Sequence, residues 1–247
     1  MNEPKILLLD IETLPIAAKL IKFIVRFYPG SSLGAEMNSI ICFGYKWLGD
    51  KKAKSISVWD YPGWEKNVND DSKLCKDIYS ICKDADVIVT HNGNRFDIPV
   101  INARLLFNKI ENLPPIASVD TYSLAKRNMK LSFKRLKDLA DFFGTVNKKD
   151  TGGWSLWEDV ATKDLAACKK MEAYCRGDVD ALEQIFLKLR RFAGNIPHCH
   201  TGCINCGSTM VAKEGIRRTL KKTFQRLKCR NCGKWFQEKL ILHKDGL

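Results

Sequence analysis

Four acidic residues in three separated segments constrain this chain more than any other feature: Asp10 and Glu12 in KILLLDIET, Asp97 in HNGNRFDIPV and Asp178 in MEAYCRGDVDAL. Each lies in local sequence that aims it at one shared point. Lys5 to Leu9 is an apolar run ending in acids, the profile of a buried central strand whose C-terminal end carries function. Residues i and i+2 of a strand share a face, so Asp10 and Glu12 project together. Asp97 opens a helix directly after the Asn92-Gly93-Asn94 turn, where it can face the same centre while capping that helix. Helical neighbours lie four residues apart, which sets the Tyr174 phenol beside Asp178. Two carboxylates about 4 Å apart repel by roughly 4 kcal/mol at an effective dielectric of about 20. Four together therefore call for bound cations or raised pKa values. Oxygen donors of this kind, completed by phosphate oxygens, suit Mg²⁺ or Mn²⁺, and a two-metal phosphodiesterase site is the natural reading.

Taken singly, none of these residues carries that reading. Asp-x-Glu at a strand end is commonly solvated punctuation, Asp97 is an ordinary helix start, and Tyr174 is an ordinary amphipathic core residue. Their joint occurrence, in order and with compatible secondary structure at every position, is what carries it. Asp180, two residues beyond Asp178 on the same helix, faces elsewhere and reads as a solvated acid.

The rest of the chain supplies a scaffold. Ile40 to Leu48 and Ser55 to Trp59 read as strands around the turn at Gly49-Asp50-Lys51. Ser72 to Lys83 is helical by spacing, Asp86 to Thr90 is a buried strand, and Asp97 to Phe107 is a helix. Ile116 to Val119 reads as a strand, with Asp120 capping a helix from Tyr122. Further helices are expected over Phe133 to Phe143 and, singly or as a pair, from Lys163 to about Phe192. Alternating strands and helices argue an α/β fold with a mixed sheet. Gly194-Asn195-Ile196-Pro197 breaks the last helix and divides the chain into domains 1–195 and 196–247.

At 247 residues the chain can bury a full core, and its formal charge of +13 with a pI near 9.3 favours a polyanionic partner, nucleic acid first. No stretch reaches the 18 or more uncharged apolar residues of a membrane span, and no secretory signal is visible. Pro15 to Tyr28 reads as an amphipathic helix packed through Ile16, Leu20, Ile24 and Phe27, in preference to a membrane-surface helix. Cys42, Cys75, Cys82, Cys168 and Cys175 are scattered as reduced thiols. The clustering of the remaining cysteines from Cys199 onward points to metal and not disulfides, hence a reducing, cytoplasmic compartment.

Within that cluster, Cys203-Ile-Asn-Cys206-Gly and Cys229-Arg-Asn-Cys232-Gly repeat one wording. Tetrahedral Zn²⁺ takes four thiolates, and a tight turn with glycine after each pair lets backbone amides approach the sulfurs. The arrangement resembles a zinc ribbon, in which one structural zinc clamps a small sheet. His198, Cys199 and His200 are not needed as ligands. Between the knuckles, Lys213, Arg217, Arg218, Lys221, Lys222, Arg226 and Lys228 are opposed only by Glu214, with Phe224, Trp235 and Phe236 nearby. Binding of a nucleic-acid backbone is the expected role, with Arg217, Arg218, Lys221 and Lys222 in contact.

LLLDIET, HNGNRFDIPVI and YCRGDVDAL resemble the three exonuclease motifs of the DEDD superfamily, and Tyr174 followed by Asp178 resembles its tyrosine-bearing branch. The wording Asn-x-x-x-Phe-Asp at Asn92 to Asp97 and Tyr-Cys-x-x-Asp at Tyr174 to Asp178 is similar to the proofreading exonuclease domains of family B DNA polymerases. The resemblance covers roughly residues 4 to 191. It implies a ribonuclease H-like mixed sheet flanked by helices and a 3′-to-5′ exonuclease acting on single-stranded DNA ends. By the same resemblance Asp10, Glu12, Asp97 and Asp178 hold two Mg²⁺ or Mn²⁺ ions, one activating a water and one stabilising the leaving 3′ oxygen, and Tyr174 orients the water. Thr13, Asn92 and Phe96 are expected to contact the terminal nucleotides. Aromatic residues of Gly152 to Trp157 either stack on bases or anchor a loop. An RNA-trimming exonuclease or structure-specific endonuclease on the same site, or an inactive nucleic-acid-binding adaptor, are the competing readings.

Overall fold

The structure, a computed structural model, describes residues 4–14, 16–20, 23–27, 39–145, 155–194, 196, 202–220 and 222–239. In chain order, β1 (Ile6–Thr13) is followed by β2 (Ile16–Leu20), β3 (Phe23–Phe27), β4 (Ile40–Trp47), β5 (Lys54–Ser57) and α1 (Ser72–Cys82). Then come β6 (Val87–Thr90), α2 (Asp97–Phe107), β7 (Ala117–Asp120), α3 (Thr121–Asn128), α4 (Leu136–Phe143), α5 (Ser155–Ala161) and α6 (Leu165–Leu189). The chain closes on β8 (Val211–Arg218), β9 (Thr223–Cys229) and β10 (Trp235–Lys239). The main sheet has the order β5-β4-β1-β6-β7, antiparallel from β5 through β4 to β1 and parallel from β1 through β6 to β7. This is the mixed α/β sheet that the alternation of strands and helices implies.

Apolar residues on both faces of β1 put it in the middle of the core. Leu7, Leu9 and Ile11 join Phe43, Leu74, Ile78, Ile101 and Leu105 on one side. Leu8 joins Val179, Leu182, Ile185 and Phe186 of α6 on the other. Burying each such side chain contributes roughly 1.5–3 kcal/mol, which fixes α6 along the sheet. Polar anchors then set its register. The ammonium of Lys46 on β4, buried at 5% exposure, donates to Asp180 at 3.1 Å and Glu183 at 2.7 Å. Trp59 Nε1 donates to Glu172 at 2.6 Å, and Arg176 donates to Ser55 Oγ at 2.5 Å. Asp180, its side chain 45% exposed, is thus solvated as its helical phase suggests and is also an anchor of α6. On the opposite side, Arg104 of α2 forms a bidentate pair with fully buried Asp71 at 2.7 and 2.8 Å. Asp71 also accepts from the Ile40 amide at 2.9 Å, tying α2 to the start of β4.

One expected helix is absent: within Pro15 to Tyr28 the described residues form β2 and β3, which pair antiparallel with Ile16 opposite Phe27 and Lys19 opposite Ile24. The apolar residues fit a helical spacing, but Phe23, Ile24, Val25 and Phe27 are aromatic or β-branched and favour extended backbone. The side chains of this hairpin lie outside the described residues. α4 begins at Leu136, three residues later than expected, where Asp138 accepts the Arg135 amide at 2.9 Å and leaves Phe133 69% exposed. From residue 165 the chain runs as one helix, started by Asp164 accepting from the amides of Ala166 and Ala167. Among the described residues no helix is long and apolar enough to cross a membrane.

The second sheet is β10-β9-β8, antiparallel throughout. It meets the end of α6 through Arg190, which donates to the side chain of Asn205 at 3.4 Å and to its backbone carbonyl. Lys234 adds a bond to the Ala193 carbonyl at 2.6 Å.

Candidate active site

β1 remains extended through its acidic end, so Leu8, Asp10 and Glu12 share the face that α6 covers. Across the antiparallel pair, Asp10 is registered with Gly44 and Glu12 with Cys42. A Cβ added at Gly44 would lie 2.8 Å from Cys175 Sγ, 2.9 Å from the Cys175 carbonyl and 3.0 Å from Val179. The missing side chain therefore lets α6 approach the strand beside Asp10, and Asp178 follows three residues after Cys175. Carboxylate oxygens of Asp10, Glu12 and Asp178 lie within 4.8 Å of one another, with Asp178 buried and the other two half-buried. These three, from a strand and a distant helix, are brought together as their spacing predicts.

Asp97 sits apart from that mutual cluster but against the same strand. It is the first residue of α2, with Phe96 in the cap position, and its Oδ1 accepts the amide of Ile11 at 3.2 Å. Ile11 lies between the two acids of β1, beyond the last residue that β6 pairs. The carboxylate thus serves a strand amide left over where β6 ends, instead of capping its helix through its side chain as expected. Burial, opposed by the Ile11 amide and reinforced by the charge of Asp120, pushes its pKa up to about 7.

Tyr174 stands one turn before Asp178 and packs edge-on against Trp157 of α5, ring centres 6.0 Å apart. Burial, and after it the charges of Asp178, Glu12 and Asp10, drive its phenol well above its ordinary range. Trp157 takes the core-anchoring role of the two open to this segment; Gly152, Gly153 and Trp154 lie outside the described residues.

Thr13 follows a register shift after Glu12 and is buried at 5% exposure. Such bulges re-aim side chains at the ends of strands. Asn92 adopts φ 63°, and its amide donates to Asp120 at 2.9 Å. Asp120 also accepts from Ser123 at 3.1 Å, the N-cap expected of it. At Gly93 a Cβ would fall 2.4 Å from Thr90, so only glycine fits between Asn92 and Asn94. Phe96 is half-buried against the core and not a free stacking surface.

Sequence reasoning missed Gly44 and Lys46. A lone glycine within the apolar strand IICFGYKW is a signal of close backbone approach, and a lysine two residues on, on the same strand face, marks the side that α6 covers. Trp157 gave no signal beyond its aromatic character.

The second cluster is Cys203, Cys206, Cys229 and Cys232, whose sulfurs also lie within 4.8 Å of one another. Cys203 and Cys232 are 3.6 Å apart and Cys206 and Cys229 3.7 Å. Four thiolates around one tetrahedral ion with metal–sulfur bonds of about 2.3 Å stand ~3.8 Å apart, so the set can hold such an ion without rearrangement. Gly207 and Gly233 adopt φ 70° and 72°, left-handed conformations that suit the tight turn expected after each pair. The Asn205 amide points at Cys203 Sγ at 3.4 Å and its side chain at Cys232 Sγ at 3.2 Å. Arg217, Arg218 and Lys222 are exposed on the attached sheet and its turn, while His198, Cys199, His200 and Lys221 lie outside the described residues.

A comparison with curated protein sequences found no match. Among solved structures the chain is similar to the family B DNA polymerase from the hyperthermophilic archaeon Pyrobaculum calidifontis, at 16% identity and a TM-score of 0.54. The match covers 77% of this chain and 26% of the polymerase, so the chain spans about a quarter of that protein's length, and the likeness is one of fold. A family model described as RNase_H superfamily matches residues 30–190, which include β4, β5, β6, β7 and α6 but not β1. With that match over well over half of its length and a five-stranded mixed sheet to go with it, the chain belongs to the RNase_H superfamily.

Proposed function

We propose that this protein is a metal-dependent 3′-to-5′ exonuclease that releases nucleotides from single-stranded DNA ends. The observation that carries this reading is the convergence of Asp10, Glu12 and Asp178 within 4.8 Å, with Tyr174 one turn before Asp178 on α6. Asp10, Glu12, Asp97 and Asp178 would hold two Mg²⁺ or Mn²⁺ ions, an all-oxygen donor set that suits these hard cations. When bound, the ions supply Lewis-acid stabilisation of charge on the scissile phosphate and lower the pKa of the attacking water.

The protein's own residues do the rest. Tyr174 donates a hydrogen bond that orients the water. Thr13 and Asn92 would contact the terminal nucleotide, and Phe96, half-buried, would touch it by its exposed edge and not as a free stacking face. Trp157 limits the freedom of the tyrosine ring. A single Zn²⁺ held by Cys203, Cys206, Cys229 and Cys232 has four protein ligands and no open position, so its part is structural. It stiffens a basic ribbon, formed by residues 196–247, on which Arg217, Arg218, Lys221 and Lys222 engage the substrate strand, while residues 1–195 form the catalytic domain.

The test is a nuclease assay on 3′- and 5′-labelled single-stranded DNA and RNA with Mg²⁺ or Mn²⁺ and an EDTA control. Asp10→Ala and Asp178→Ala are expected to abolish stepwise shortening from the 3′ end. Full activity in either variant removes the assignment, and preferential digestion of RNA replaces DNA as the substrate.

A further inference from the structure

The register of the C-terminal sheet sorts its charges onto two faces. Residues directly opposite one another on antiparallel strands share a face. Trp235 is opposite Lys228, Gln237 is opposite Arg226, and Phe224 is opposite Arg217. The bond from Arg217 to Gln237 Oε1, 3.0 Å across the middle strand, ties the three strands on this side. Arg218, Leu227, Cys229 and Glu238 fall on the other side, where Leu227 and Cys229 are buried towards the thiolate cluster.

On the first face Trp235 is 46% exposed, with Arg226 5.2 Å and Lys228 5.3 Å from its ring centre. Both cations thus lie over the ring while nearly half of the residue stays open to solvent, in a segment, residues 203–239, with ten lysines and arginines and two acids. Neither acid offsets this face: Glu238 is on the opposite side, and Glu214 lies at the irregularity in β8, paired with Arg230 at 3.4 Å. An exposed indole flanked by cations matches a polymer that alternates flat aromatic bases with phosphates. A base stacks on any aromatic face, and the adjacent cations take the phosphates on either side of it.

We propose that Trp235 is a base-stacking platform for single-stranded nucleic acid, with Arg226, Lys228 and Arg217 as its phosphate contacts. This deepens the exonuclease reading by assigning the ribbon's binding face. It also removes Arg218 from that face. Arg190, where the ribbon is anchored, lies 12 residues beyond Asp178 on the helical path, ~18 Å along the axis. A strand must cover that separation to touch both the carboxylates and the anchored end of the ribbon, so short oligonucleotides should depend on Trp235 less than long ones.

Binding of the full-length protein to labelled dT20, U20, a 20-bp blunt duplex and dT3 is measured without added Mg²⁺, with bound zinc checked in each variant. Trp235→Ala is expected to weaken dT20 and U20 binding about tenfold or more, Trp235→Phe to restore most of it, and dT3 and duplex binding to change little. Arg226→Ala and Arg217→Ala are expected to lower the salt dependence by about 0.7 of a unit each, and Arg218→Ala to lower it less. Unchanged dT20 affinity in zinc-loaded Trp235→Ala overturns the proposal. So does an equal loss on duplex, which marks general electrostatics, or capture of a protein partner with no effect on either nucleic acid. Hydrolysis of a dinucleotide with Mg²⁺ is run beside it: if wild type fails to cut, the exonuclease reading falls while the binding result stands by itself.

Discussion

Gly44 faces Asp10 across the β1–β4 pair, and the space its absent side chain leaves is filled by Cys175 of α6, whose sulfur and carbonyl would stand 2.8 and 2.9 Å from a Cβ. A sulfur can rotate away, but a helix carbonyl cannot, so any side chain there displaces the helix that carries Tyr174 and Asp178. Gly44→Ala is expected to destabilise the fold by about 1–3 kcal/mol through overpacking. Its kcat should fall by more than that stability loss explains, measured at a temperature where the variant is fully folded. Wild-type melting and turnover in this variant would show that α6 has slack at the site.

Lys46 holds the same helix from the same strand face. Burial by itself lowers the pKa of its ammonium, but the hydrogen bonds with Glu183 and Asp180, helped by their charges, outweigh it and raise the value above 10.5. A folded pKa above the unfolded one means stability that is fully present below about pH 10.5 and lost as pH rises through the folded value. Lys46→Met leaves two carboxylates without their shared cation and is expected to cost about 1–3 kcal/mol at pH 8. Urea unfolding of both proteins at pH 8 and above pH 11 checks the sign: the gap should narrow at the higher pH. A gap that stays constant removes the ion pair as its cause.

These two residues mark where sequence legibility ends. Asp10, Glu12 and Asp178 were readable because strand and helix periods fix which side chains share a face, and three such segments in order leave few ways to combine. The helix at Asp97, the cap at Asp120 and the left-handed glycines after each cysteine pair were readable for the same local reason. What brings the acids together is not local. Gly44 and Lys46 act through residues 131 and 134 positions away in sequence, and nothing near them in the chain announces their partners. The Ile16 to Phe27 hairpin escaped for a different reason: apolar residues at three- and four-residue intervals fit a helix, whereas the extended preference of Phe23, Ile24 and Val25 decided the outcome.

Tyr174 offers a test that separates orientation from proton transfer. Burial, and after it the charges of Asp178, Glu12 and Asp10, raises the phenol above its ordinary range, and the burial acts whether or not cations offset those charges. Tyr174→Phe is therefore expected to lower kcat about 10- to 100-fold while leaving the pH–rate profile unaltered in shape. A variant that loses an alkaline limb present in the wild type would return the phenol to the role of base.

Asp97 decides how many carboxylates serve the metal. Its pKa of about 7 in the metal-free protein lies above the unfolded value near 3.8. The folded state therefore holds a proton that the unfolded state has lost across that interval, and stability falls as pH rises from about 4 to about 7. At about 1.4 kcal/mol per unit, the loss is at most about 4 kcal/mol. Asp97→Asn keeps an oxygen for the Ile11 amide and carries no charge, so its stability should be flat over that interval where the wild type's declines. Mg²⁺ added at pH 6.5 should release about three-quarters of a proton from the wild type, because a coordinating carboxylate must ionise, and markedly less from Asp97→Asn. Equal proton release from both proteins would exclude Asp97 from the metal-holding set and leave the three-carboxylate cluster of Asp10, Glu12 and Asp178 to hold the cations alone.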